Sequence, residues 1–133
     1  MNDFQACGSS ESWGLAKVTS LCPNMKDSAY LEKLAELAGQ FSKKRPNSTA
    51  TLLARLDQFQ AGCKTLIASP KPQLNDSERI WLEDSCRKWS GEIDVLRLAL
   101  KNGTRDYQQG LIDANLLAET MQTALKKKAT ELG

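Results

Sequence analysis

The sequence predicts an all-α protein, an up-down-up-down four-helix bundle with a short extra N-terminal helix. Apolar residues recur at alternating spacings of three and four along four long segments, as in helices with one buried face. Proline, glycine and capping residues separate these segments, and no stretch alternates in the manner of a strand. Because the connections are short, antiparallel neighbours are expected.

The segment from Asn75 to Gly103 carries the clearest helical pattern. Its apolar stripe has spacings of 4, 3, 4, 3 and 4 and consists of Leu82, Cys86, Trp89, Ile93, Leu96 and Leu100. Asn75 predicts an N-cap, and Glu78 three residues later completes a capping box. Gly103 predicts the C-terminal end of this helix, because glycine tolerates the left-handed conformation that closes helices.

Two long helices are predicted before this segment. The first runs from near Asp27 or Ser28 to about Lys44. The second is capped by Ser48 or Thr49 and reaches about Ser69. A proline follows each of them, which favours a break in the helix at these points.

The last long helix is predicted after Gly103. Thr104 predicts its cap, and the helix runs from Arg105 to about Glu131. Gly110 lies inside it and weakens it by about 1 kcal/mol relative to alanine. A kink or a close helix contact is therefore expected at Gly110.

The chain is predicted to form a single helical domain over residues 1–133. Residues 1–10 show no periodicity, which predicts a flexible tail. A short amphipathic helix is expected from Ser10 or Ser12 to Leu21, where a proline ends it two residues later.

Composition excludes several function classes. Eighteen basic and sixteen acidic residues give a net charge of +2, and no apolar run approaches the length of a membrane span. Histidine is absent, which removes Ser-His-Asp and Cys-His catalysis and the commonest metal ligand. We therefore predict no catalytic residues, no cofactor and no metal site, and a protein that is not an enzyme.

Two basic runs occur, Lys43–Arg45 and Lys126–Lys128. Both fall near predicted helix C-termini, where cations are favoured by the helix dipole. A nucleic-acid interface would need one continuous basic face. Nucleic-acid binding is therefore disfavoured.

Four cysteines permit two disulfides. Cys7 and Cys22 could close an N-terminal loop, and Cys63 and Cys86 are expected to face each other between the second and third long helices. The alternative is that Cys63 and Cys86 are reduced core residues. Oxidised cysteines would indicate an extracytoplasmic location, secreted or periplasmic, and reduced cysteines the cytoplasm.

Two family resemblances centre on the third long helix. The run Glu78–Leu82 followed by Cys86, after Cys7 and Cys22, resembles the LprI-type lysozyme inhibitor domain. The same helix is similar to the third helix of plant invertase and pectin methylesterase inhibitors, through Leu82, Glu83, Asp84, Cys86, Trp89, Ile93, Asp94, Leu96, Ala99 and Leu100. Both resemblances imply an extracytoplasmic, non-enzymatic protein that blocks the active site of another protein.

We therefore predict a non-enzymatic helical protein that binds another protein, of inhibitor or immunity type. Trp81 and Trp13 are the candidate partner-binding residues, because exposed aromatic residues dominate interface energetics. Trp81 lies one position off the Leu82 stripe, so the alternative is that it packs at the edge of the core. The second class is a cytosolic structural or regulatory helical-bundle module, a homodimer or an adaptor.

Overall fold

A computed structural model describes residues 25–43 and 46–132. These residues form four helices and no strand: α1 (Asp27–Lys43), α2 (Thr49–Ala68), α3 (Asp76–Lys101) and α4 (Tyr107–Leu132). The all-helical fold is confirmed. The predicted tail and short N-terminal helix, with Cys7, Trp13 and Cys22, lie outside the described residues.

The predicted caps of α2 and α3 are confirmed. Ser48 Oγ accepts a hydrogen bond of 3.2 Å from the backbone N–H of Thr51. At the start of α3, Asn75 Oδ1 accepts from the N–H of Glu78 at 2.8 Å, and the Glu78 carboxylate accepts from the Asn75 N–H at 3.0 Å. Gly103 follows α3 with φ 80°, in the left-handed region that favours glycine.

The predicted cap of α4 was wrong. Asp106 takes this position, since its Oδ1 accepts from the N–H of Gln109 at 2.9 Å. Thr104 instead donates its N–H to Asn102 Oδ1 at 3.0 Å, within the turn that follows α3. Because Thr104 is used in that turn, α4 begins two residues later than predicted, at Tyr107.

The helices pack into a bundle with one apolar core. The most extensive contacts join α1 to α4 and α2 to α3, while α3 and α4 touch over a smaller area. All six residues of the α3 stripe are buried. The largest fully buried side chains are Phe59, Leu31, Leu34, Leu52, Leu56, Leu66, Leu82, Ile93, Met121 and Leu125.

Contacts between α2 and α3 run in opposite directions along the two helices. Asp57, early in α2, pairs with Arg97 near the end of α3, with 2.8 Å between Oδ1 and a guanidinium nitrogen. Lys71, just after α2, pairs with Glu83 in the first half of α3 at 2.9 Å. These two helices are therefore antiparallel.

The close packing expected at Gly110 is confirmed. A Cβ atom placed there would lie 2.5 Å from Leu100 Cδ2. The Leu100 side chain, at the end of α3, therefore occupies the space that a side chain at residue 110 would need.

Candidate protein-binding surface

Four large aliphatic side chains point away from the core on α3 and α4. Val95 is 71% exposed and Leu98 63%, while Ile112 and Leu116 are 52% and 56% exposed. We call these four residues the aliphatic face. Exposed leucines are common singly, whereas four exposed aliphatic side chains on two adjacent helices make this surface the candidate site.

The aliphatic face results from residues that fall outside the buried stripes. Val95 and Leu98 lie next to Leu96, which belongs to the stripe and is 7% exposed. At 100° per residue, a helix cannot bury three residues so close in sequence on one narrow stripe. Ile112 and Leu116 are one turn apart, so they share the outer side of α4.

A groove of about 190 Å³ runs between α3 and α4 beside this face. Its apolar lining is Val95, Leu96, Ala99 and Leu117. The charged lining is Glu92, Arg105 and Asp113, with 3.1 Å between Arg105 Nε and Asp113 Oδ2. The groove therefore combines an apolar floor with a small number of charged groups at its rim, as protein-binding surfaces do.

Gly91 extends the exposed surface of α3 by one turn. No atom of the described chain lies within 4 Å of the position that its Cβ would occupy, apart from its own helical neighbours. A glycine in an exposed helix interior costs about 1 kcal/mol relative to alanine. The space above Gly91 is therefore unfilled by residues 25–43 and 46–132.

Trp81, the first candidate from the sequence, lies at the edge of the bundle. Its ring is partly buried against the core, and Lys128 Nζ lies 5.3 Å from the ring centroid. This position agrees with edge packing and a cation–π contact to α4. Its neighbour Ile80 is half exposed. A role of Trp81 in partner binding stays a prediction, and Trp13 lies outside the described residues.

Cys63 and Cys86 face each other between α2 and α3, as predicted, and both are buried free thiols. A disulfide between them is therefore not supported. A hydrogen bond with Cys63, followed by burial, raises the pKa of the Cys86 thiol. Burial also raises the pKa of the nearby Tyr30 hydroxyl. A thiol with a raised pKa stays protonated and is a poor nucleophile or metal ligand.

Lys71 is a buried cation whose ammonium group contacts two backbone carbonyl oxygens and one carboxylate. Its Nζ donates to the carbonyl oxygens of Leu66 and Ser69, both at 2.5 Å, and lies 2.9 Å from Glu83 Oε2. The hydrogen bond from Lys71 holds the pKa of the Glu83 carboxyl below its usual range, against the effect of burial. All three donors of the ammonium group are used to hold the end of α2 against α3.

Gln60 is the centre of a second polar contact between α2 and α3. Its Nε2 donates to Asp94 Oδ1 at 2.7 Å, and its Oε1 accepts from Arg97 at 2.5 Å. Within the described ranges, no three carboxylate or thiol side chains are placed to hold a metal ion. The hydrogen bonds of Gln60 with Asp94 and Arg97 therefore join α2 to α3.

Comparison of the chain with protein-family models, with curated proteins and with solved structures found no match. None of the helices within residues 25–43 and 46–132 combines the length and apolarity needed to cross a bilayer. The candidate surface therefore stands on its geometry alone. The sequence analysis missed its four residues, although two large aliphatic residues off the α3 stripe were a visible signal.

Proposed function

We propose that this protein acts without catalysis, by binding another protein, as an inhibitor or immunity protein does. The observation that carries the proposal is the aliphatic face. Four aliphatic side chains more than half exposed lie beside a groove with an apolar floor. Burial of such side chains supplies the main favourable free energy of protein association.

The interior of the protein supports the same proposal. The described core is apolar, and two of its buried polar side chains, Gln60 and Lys71, form contacts between α2 and α3. The thiols of Cys63 and Cys86 lie away from the surface. The chemistry that the described residues offer a second molecule is therefore that of the outer helix faces.

The bundle belongs, in this proposal, to the up-down-up-down type with an extra helix before α1. The antiparallel pair α2 and α3 supports this topology. So does the contact of Leu100, at the end of α3, with Gly110, at the start of α4. The resemblance of α3 to two families of helical inhibitors supports the inhibitory role.

A capture experiment tests the proposal. The full chain serves as bait in an extract of the organism that encodes it, beside two double variants. Val95→Glu with Leu116→Glu places charges on the aliphatic face, and Ala54→Glu with Ala61→Glu places them on exposed positions of α2. We expect the unmodified chain and the α2 variant to retain one partner in stoichiometric amount, and the face variant to lose it.

Circular dichroism of all three baits checks that each is folded. Recovery of no stoichiometric partner by the unmodified chain, including the chain itself, would contradict the proposal. Equal recovery by the face variant would show that binding uses another surface.

A second candidate is a cytosolic structural or regulatory module, a homodimer or an adaptor. The open space above Gly91 favours this candidate, because glycine permits the close approach of another helix. The same capture experiment separates the two, since a homodimer retains the chain itself and an inhibitor retains a different protein.

A further inference from the structure

The outer side of α3 carries a short row formed by Gly91, Val95 and Leu98, which we call the α3 row. Its spacings of four and three place all three residues on one side of the helix. Gly91 is exposed, and so are the two aliphatic side chains, at 71% and 63%. The row therefore presents two apolar side chains next to a position with no side chain.

We infer that the α3 row binds a second copy of this chain, with the two α3 helices antiparallel about a two-fold axis next to Val95. In this arrangement, Leu98 of each copy packs over Gly91 of the other. The inference rests on the second candidate function, the homodimer, because it names a second copy of the chain as the occupant of part of the aliphatic face.

The order of residues in the row fits a two-fold axis. Leu98 follows Val95 by three positions, and Gly91 precedes it by four. A copy turned about an axis beside Val95 runs in the opposite direction, so its Gly91 comes to the level of Leu98. An isologous interface requires this kind of self-complementarity, in which the same contact forms twice. Without a Cβ at Gly91, the two backbones can approach closely, and each leucine fits into the space left by a glycine.

The charges of the neighbouring groove also fit an antiparallel copy. Glu92 lies at one end of the groove, and it forms no ion pair within the described residues. Arg105 lies at the other end, where its guanidinium pairs with Asp113 of the same chain, with 3.1 Å between Nε and Oδ2, and its backbone N–H donates to the carbonyl oxygen of Ala99. An antiparallel copy brings Arg105 towards Glu92 of its partner. In a parallel copy the two grooves would lie on opposite sides of the interface, so Arg105 and Glu92 would not approach each other.

Light scattering after gel filtration tests the inference on the full chain over a roughly hundred-fold range of concentration. We expect a dimer mass for the unmodified chain and a monomer mass for Gly91→Leu, whose added side chain fills the space that Leu98 needs. Because leucine favours a helix more than glycine does, this variant is expected to fold at least as well. Ala61→Leu adds the same side chain to an exposed position of α2 and should stay dimeric.

Cysteine crosslinking tests the antiparallel register. Residues 91 and 98 of one helix are about 10 Å apart along its axis, too far for a disulfide within one chain. The double variant Gly91→Cys with Leu98→Cys should therefore form a covalent dimer on mild oxidation. Val95→Cys alone should also form one, whereas Leu98→Cys alone should not. The unmodified chain measures the background from its own cysteines.

Several results would overturn the inference. A monomer mass for the unmodified chain at every concentration is one, and a dimer that survives Gly91→Leu is another. Crosslinking of Leu98→Cys alone would indicate parallel helices. A disulfide within one chain between residue 95 of Val95→Cys and Cys7 or Cys22 would show that the N-terminal segment covers the row.

These results also separate the inference from the proposed function. If the chain is monomeric but captures a different protein through the aliphatic face, the inference fails and the proposed function stands. If the chain is monomeric and captures nothing, both fail.

Discussion

The ammonium group of Lys71 lies 2.9 Å from Glu83 Oε2, although the Lys71 side chain is only 1% exposed. The same group donates to two carbonyl oxygens at the end of α2. A buried cation is tolerated only when its hydrogen bonds and its charge are compensated. The contact between Lys71 and Glu83 therefore holds the turn between α2 and α3 in one conformation.

Lys71→Met should destabilise the fold. The change leaves two carbonyl oxygens without a donor and removes one cation from Glu83, and breaking a buried ion pair in this way costs about 3 kcal/mol. Urea denaturation measures the free energy of unfolding. Lys64→Met, at an exposed position of α2, is the control. If Lys71→Met and Lys64→Met lose the same free energy of unfolding, Lys71 contributes no more to stability than a surface lysine does.

Glu83 should contribute to stability in a pH-dependent way. Its pKa is lowered in the folded protein, so the folded state favours the charged carboxylate. The contribution is present above the pKa of the unfolded chain and is lost as the pH falls through the lower, folded value. Glu83→Gln should therefore lower the free energy of unfolding at neutral pH, and the difference from the unmodified chain should shrink under acid conditions.

Thermal unfolding of Glu83→Gln and of the unmodified chain, measured at several pH values from neutral to acid, follows the difference in their stability. Glu119→Gln, which changes an exposed carboxylate of α4, provides the control and should track the unmodified chain at each pH. A difference between Glu83→Gln and the unmodified chain that stays constant with pH would contradict the role of the Glu83 charge.

Two glycine variants should change stability in opposite directions. Gly110→Ala places a Cβ 2.5 Å from the buried Leu100 side chain, and the resulting overpacking should cost about 1 to 3 kcal/mol. Gly91→Ala meets no atom within 4 Å and should stabilise the helix by about 1 kcal/mol. Urea denaturation at low protein concentration measures both, so that self-association at Gly91 does not contribute. An increase in the free energy of unfolding for Gly110→Ala would contradict this expectation and would mean that the Leu100 side chain moves aside freely.

The thiols of Cys63 and Cys86 should be unreactive in the folded protein. Burial removes them from solvent, and the hydrogen bond with Cys63 favours the protonated form of Cys86. In the variant Cys7→Ser with Cys22→Ser, a thiol reagent at mildly alkaline pH should react with neither residue until urea unfolds the chain. Two thiols should then react. Reaction of fewer than two after unfolding would reveal the disulfide that the structure does not contain.

The helices and their caps were predictable because their causes are local. The α3 stripe follows from the period of the helix, and Asn75 caps α3 through residues that lie next to it in sequence. The cap of α4 was less predictable, because Thr104 and Asp106 are both good capping residues. Only the closure of the turn by Asn102 and Thr104 decides between them.

By itself, the sequence determined the helical class, the buried stripe of α3 and the absence of histidine chemistry. The tertiary structure decided which residues outside the stripes are exposed. Val95 and Leu98 could have been covered by another helix, and they are exposed because α4 contacts α3 on a neighbouring side. Periodicity specifies which side of a helix faces inward. How far the outer side is covered depends on where the neighbouring helices lie, and residues distant in sequence set that position.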